Sequence, residues 1–290
     1  MKSSVRSPAS NRWGAIIRFP LTRILLALLF VAIPFIALQR VVSLLMLGRT
    51  TSNVLKALVC TLAAYGMYRV YVRLIERRPA AEVALRLAPG ELGRGVMLGS
   101  ALFATSIGVL ALLGVYQVTA IGPWSGIIIP LAVATVIGTF EEIVIRGIIF
   151  RITEESLGTW LALAISAVIF GLLHLIGPAS TLQGAVSIMV GSSVLLTGAY
   201  KATGRLWFPI GIHAAWNFTQ GGIFGVVVSG HPGEGVLQGT LTGPGWLTGG
   251  SFGAEGSVVA TLVCLVAGVL CFAKAVRIKS IVPLRRTTET

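Results

Sequence analysis

Eight times along this chain a run of about twenty largely apolar residues recurs, which is the length an α-helix needs to cross the hydrocarbon core of a bilayer. The runs fall at about 21–38, 53–75, 95–118, 124–150, 159–177, 181–200, 207–229 and 257–274. Composition closes off the other classes. The 290 residues are 55% hydrophobic and 11% charged, whereas a soluble domain carries about 25% charged residues. Too little polar surface remains for a soluble enzyme of this size, and too much apolar content for a disordered chain. The expected fold is therefore all-α: a polytopic transmembrane helical bundle of about eight spans.

Basic residues set its orientation. The formal net charge is +13, from 23 Lys and Arg against 10 acids, and every acid is Glu. In a soluble chain such a charge would point to nucleic acid. Here the cations lie between the apolar runs, where Lys/Arg bias marks the cytoplasmic side, so no nucleic-acid partner is expected. Lys2, Arg6, Arg12, Arg18 and Arg23 lead the chain, and Arg77, Arg78, Arg86 and Arg94 follow the second run. Arg151 follows the fourth, Lys201 and Arg205 separate the sixth from the seventh, and Lys274, Arg277, Lys279, Arg285 and Arg286 close the chain. The alternate connections, at 119–123, 178–180 and 230–256, carry no Lys or Arg. Arg40, Arg49 and Lys56 run against the pattern, which otherwise predicts that both termini are cytoplasmic.

The chain divides into a basic leader (1–20), N-terminal spans (21–75), a core (76–229), a Gly-rich external loop (230–256), and a last span with a basic tail (257–290). No small-residue cleavage site clearly follows the first run, which favours an uncleaved span. Loop 230–256 predicts a flexible segment, with His231 solvated in it. Cys60, Cys264 and Cys271 form no CxxC pair and read as small core residues.

Ionisable side chains inside membranes are costly and mark function. The fourth run contains Gly138-Thr139-Phe140-Glu141-Glu142-Ile143-Val144-Ile145-Arg146-Gly147, the fifth contains Phe170-Gly171-Leu172-Leu173-His174, and the seventh contains His213-Ala214-Ala215-Trp216-Asn217. Residues four apart share a helix face, so Glu142 reaches Arg146 and the two neutralise each other. Glu141, about 100° around the helix, is left with no local partner and suits a general base. His213 and Asn217 share one face and together can donate to a developing oxyanion. Phe170, one turn before His174, buttresses its ring. An isolated Glu–Arg pair or helix-end His is ordinarily structural. Their coincidence in three runs otherwise almost free of acids and histidines favours a site.

The ordered trio E-E-x-x-x-R, F-x-x-x-H and H-x-x-x-N resembles the CPBP (Abi) family of type II CAAX prenyl endopeptidases and bacteriocin-processing or immunity membrane proteins. Glu76-Arg77-Arg78-Pro79 and the Leu206–His213 stretch support the resemblance, which covers about residues 76–229 as a CPBP-like catalytic core. It implies an intramembrane endopeptidase of a bacterial plasma membrane, needing no cofactor and surrounded by membrane lipids. Its substrate would be a hydrophobic or lipidated peptide. The resemblance also implies that Glu141, assisted by His174, activates water, that His213 and Asn217 stabilise the tetrahedral intermediate, and that Glu142 and Arg146 support them. The site is expected to open toward the cytoplasm.

Other chemistries are testable by residue type. Aspartyl intramembrane proteases need two Asp, and this chain has none. The H-E-x-x-H of zinc proteases is absent, although Glu141, His174 and His213 would make an adequate zinc ligand set. Gly191-Ser192-Ser193 with His213 suggests a Ser–His dyad, but reads more simply as small-residue helix packing. A peptide-toxin immunity factor or a transporter is the non-catalytic alternative. One depth relation fits poorly: Glu141 lies roughly 15 Å from Arg151 along its helix, whereas His174 lies roughly 21 Å from Trp160.

Overall fold

The computed structural model describes residues 19–177 and 179–284; Lys2, Arg6, Arg12, Arg18, Arg285 and Arg286, on which part of the basic leader and tail rests, lie outside the described residues. Each apolar run forms a helix. In chain order these are α1 (Pro20–Leu44), α2 (Arg49–Leu74) and α3 (Ala88–Leu112). Next, α4 runs from Ile128–Glu142 through Ile143–Phe150 into Arg151–Leu157, and α5 is Thr159–Leu173. Then α6 joins Leu182–Ser187, Ile188–Ser192 and Ser193–Thr203, α7 joins Trp207–Phe218 to Thr219–Ile223, and α8 is Val258–Arg277.

Five stretches, Pro20–Leu44, Ala81–Leu112, Trp124–Leu157, Leu182–Thr203 and Val258–Arg277, are long and apolar enough to cross a membrane. The molecule is thus a mostly helical integral membrane protein. The α2 helix matches them in length but is diluted by Arg49, Lys56, Arg69 and Arg73, and α5 is a shorter apolar helix.

The all-α expectation needs one correction. The third run does not stay helical to residue 118: Gly114, at φ +72°, turns the chain, and β1 (Tyr116–Ile121) pairs antiparallel with β2 (Leu237–Leu241). The partner strand lies in the Gly-rich connection, which is not the flexible segment expected. It folds back onto the bundle, burying Phe252 and Glu255. Its glycines serve close approach there. Gly253 has φ +104°, and a Cβ on it would stand 2.1 Å from the Val227 carbonyl oxygen, so no other residue fits without moving backbone. Cys60 and Cys264 are buried and unpaired, as expected of small core residues.

The helix that carries His213 is set by small residues. Gly95 and Gly99, one turn apart on α3, meet Gly211 and Ile212 on α7, the small-x-x-x-small packing that lets membrane helices touch backbone to backbone. A Cβ on Gly99 would lie 2.3 Å from the Ile212 carbonyl oxygen. Gly99→Ala is therefore expected to push α7 outward, lowering stability by roughly 1–3 kcal/mol. Thermal unfolding of the detergent-purified variant checks this; an unchanged midpoint would contradict it.

At one end of the bundle, buried charges tie α1, α2 and α4 together. Glu76 accepts from Arg23 at 2.7 Å, from Arg78 at 2.8 Å and from Arg151 at 2.8 Å. Burial alone would raise the Glu76 carboxyl, but Arg151, Arg23 and Arg78 outweigh it and hold it below the usual carboxylate range. The Glu76-Arg77-Arg78-Pro79 stretch thus anchors the bundle's basic end. At the opposite end Arg49, one of the cations against the orientation pattern, pairs with Glu234 of the Gly-rich connection at 2.6 Å.

Candidate active site

The α-helical turn of α4 changes to π-helix directly after Glu142, over Ile143–Phe150. Two more π segments, Ile188–Ser192 in α6 and Thr219–Ile223 in α7, flank the same region. Such wide turns concentrate at functional sites because they re-aim side chains without ending the helix.

Between the helices lies a cavity of about 690 Å³ whose polar floor is Glu141, His174, His213 and Asn217. Its walls are apolar, with Val133, Ile137, Phe140 and Val144 of α4 among them, and Arg49, His231 and Glu234 stand at its mouth. The predicted site residues therefore converge from α4, the end of α5, and α7. Glu142 and Arg146 lie behind the floor, fully buried, with Arg146 Nη1 donating to Glu142 Oε1 at 2.9 Å. The Arg146 guanidinium stacks on the Phe170 ring, 4.7 Å from its centroid, a cation–π contact that offsets its burial. Phe170 also meets the His174 ring edge-on at 4.7 Å. It thus buttresses His174, as expected, and covers the ion pair as well.

Glu142 has a second partner that helix spacing cannot show: its Oε1 also lies 2.9 Å from His213 Nδ1. The other ring nitrogen, Nε2, stands 3.7 Å from Glu141 Oε2. That is too long for a direct hydrogen bond but close enough for both groups to hold one oxygen atom. The adjacent glutamates are unequal. The Glu141 side chain is 29% exposed to the cavity, and that of Glu142 is 0% exposed. His174 Nδ1 lies 2.8 Å from the Phe170 carbonyl oxygen. A carbonyl only accepts, so Nδ1 carries the hydrogen and the neutral ring presents a bare Nε2.

The depth mismatch resolves through the end of α4. The helix does not stop near residue 150 but continues to Leu157, and Gly158 (φ +77°) makes the turn into α5. Counted from that turn at 1.5 Å per residue, Glu141 and His174 stand about 25 and about 24 Å along their helices. They are level.

The geometry bears on two further expectations. The cavity does not open at the basic end. Its mouth is at Arg49, His231 and Glu234, the far end of α4 from Arg151. And among the described residues no group of three His, Cys, Asp or Glu side chains converges as a metal site. The donor set Glu141, His174 and His213 thus does not fit the zinc alternative.

Residues 123–219 match the model of the type II CAAX prenyl endopeptidase Rce1-like family. That segment is similar to the family. It bears out the resemblance read from the three motifs, all of which fall inside it, although it is shorter than the 76–229 expected. The chain matches no curated protein and no solved structure in the same comparisons. The matched segment ends before Ser229, which lines the cavity, before Phe252, whose ring meets that of His174, and before Glu255, which holds Ser229. The motifs did not point to these residues; in the sequence Glu255 was only one of two charges in an otherwise uncharged connection.

Proposed function

We propose that the protein is an intramembrane endopeptidase that hydrolyses a peptide bond in a hydrophobic or lipidated substrate. The observation that carries this reading is the inequality of the adjacent glutamates. Glu142 is locked between Arg146 and His213, while Glu141 faces a cavity of substrate size beside the same histidine.

In this mechanism Glu141, with the bare Nε2 of His174 assisting, takes a proton from a water whose oxygen attacks the scissile carbonyl. The C–O bond forms and the carbonyl π electrons move to oxygen. His213 donates to that oxyanion from Nε2 as the doubly protonated ring, its Nδ1 hydrogen being accepted by Glu142, and Asn217 donates from its amide. Collapse breaks the C–N bond, and the proton held by Glu141 passes to the leaving amine. The test is turnover of fluorogenic hydrophobic and prenylated peptides by detergent-purified protein, with Glu141→Gln as control and with and without a chelator. Turnover lost in the variant and indifferent to chelation is expected. Well-folded wild type that cleaves none of the set would count against the reading.

The apolar α4 wall favours a substrate with a long hydrophobic segment. If the basic end is cytoplasmic, as the positive-inside rule directs, the mouth faces the outside and substrates arrive from that face. Trp246→Cys, exposed in the Gly-rich connection, is then expected to react with a membrane-impermeant maleimide in intact cells, whereas Arg86→Cys reacts only after permeabilisation. The reverse pattern would place the mouth in the cytoplasm.

A further inference from the structure

Behind the floor of the substrate cavity lies a second, smaller chamber of about 30 Å³, bordered by His174, His213, Asn217, Trp216, Ser229 and Glu255. That is room for roughly one or two waters. Phe170, His174, His213, Asn217 and Ser229 border both spaces, so they lie between them. On the far side stands Glu255, 6% exposed, in the turn that precedes α8. Its Oε1 accepts from both the backbone N–H and the hydroxyl of Ser229, each at 2.6 Å. Among the described residues its Oε2 makes no hydrogen bond. The indole Nε1–H of Trp216, on the same chamber, is a buried donor without a partner among the described residues.

A buried carboxyl with one oxygen clamped and the other uncommitted is costly to keep unless it serves the groups it faces. We propose that Glu255 is a positioning residue of the hydrolytic site: across the small chamber it sets the orientation of the His174 and His213 rings. This rests on the hydrolase reading for its kinetic consequence, but its structural content stands without it.

Electrostatics agrees with the geometry. Burial raises the Glu255 carboxyl above the usual range, while Ser229, His174 and His213 each pull it back down. The carboxyl therefore senses both rings. Cys264 of α8 is the remaining titratable group on this chamber. Glu141, Glu142 and Arg146 of α4 face His213 from the other side. No bond to substrate is made or broken by Glu255.

The chain contains three histidines, so ring-labelled histidine gives three assignable NMR signals. His231, exposed at the cavity mouth, is the internal control. In Glu255→Gln, where the amide oxygen can still accept from Ser229, the ring signals of His174, His213 or both are expected to move, with those of His231 unchanged. Under the hydrolase reading, kcat falls roughly 10- to 100-fold with KM within about threefold. Ser229→Ala, which keeps the backbone donor, is expected to do the same to a smaller degree.

Unchanged His174 and His213 ring signals in a well-folded Glu255→Gln protein would overturn the proposal whether or not turnover is found. Wild-type kinetics in Glu255→Gln, with Glu141→Gln inactive, would overturn it while leaving the hydrolase reading intact. Shifted His174 or His213 ring signals in a protein without turnover would support Glu255 and count against the hydrolase instead.

Discussion

Glu141→Gln is expected to remove peptide hydrolysis, with kcat falling about 10²–10⁴-fold while the protein folds as wild type. The reasoning is local. Gln keeps the shape of the side chain and can still contact a water, but it cannot accept its proton. Structurally little is lost, because Glu141 Oε2 has no hydrogen bond to lose and its side chain already meets the cavity. The decisive measurement pairs initial rates with size-exclusion and thermal profiles at matched protein concentration. An inactive, well-folded Glu141→Gln supports the general base. A fully active one would require another group to take the water's proton, with His174 next in line.

Arg146→Met is expected to have the other large effect, on folding. Arg146 and Glu142 are both 0% exposed, so removing the cation leaves a carboxylate in an apolar environment with His213 as its remaining partner. Breaking a buried pair in this way costs about 3–5 kcal/mol. The variant is expected to lose most of its monodisperse yield and to unfold at a markedly lower temperature. Glu142→Gln with Arg146→Met removes both charges together and is expected to regain much of the stability. It will not regain activity, because His213 Nδ1 then faces a neutral amide in place of the carboxylate. Recovery of folding without turnover separates the two jobs of Glu142, holding the helix pair and holding His213. If the double variant were as unstable as Arg146→Met alone, the uncompensated charge would not be the cause of the loss.

The two variants differ in kind because the adjacent glutamates differ in surroundings. A Glu142→Gln protein is expected to fail mainly through positioning and a Glu141→Gln protein through chemistry. Equal, complete loss of turnover in both at matched protein level would undercut the assignment of Glu141 as the base.

Much of this site was legible in the residues. Glu142 reaches Arg146 because an α-helix places residues four apart on one face whatever surrounds it. Phe170 meets His174 by the same rule. The apolar runs declared helices because a backbone in hydrocarbon has few other ways to satisfy its hydrogen bonds. The limits fell where the chain leaves regular helix. The depth of His174 was misjudged because α4 continues seven residues past Phe150, to the turn at Gly158. The Gly-rich connection looked flexible because glycine permits mobility and tight packing alike, and here the packing against Val227 decides.

By itself, then, the sequence determined a membrane bundle, the buried ion pair, and the three motif-bearing helices that match the Rce1-like family, since each follows from a helical period of 3.6 residues or from hydrophobic run length. Only the tertiary structure decided that His213 closes onto Glu142 from 71 residues away. It likewise decided that the cavity opens at the Arg49–Glu234 end, and that Glu255 returns beneath the histidines. Those are contacts between separate elements, and they depend on how side chains interlock across helix faces, which no local periodicity encodes.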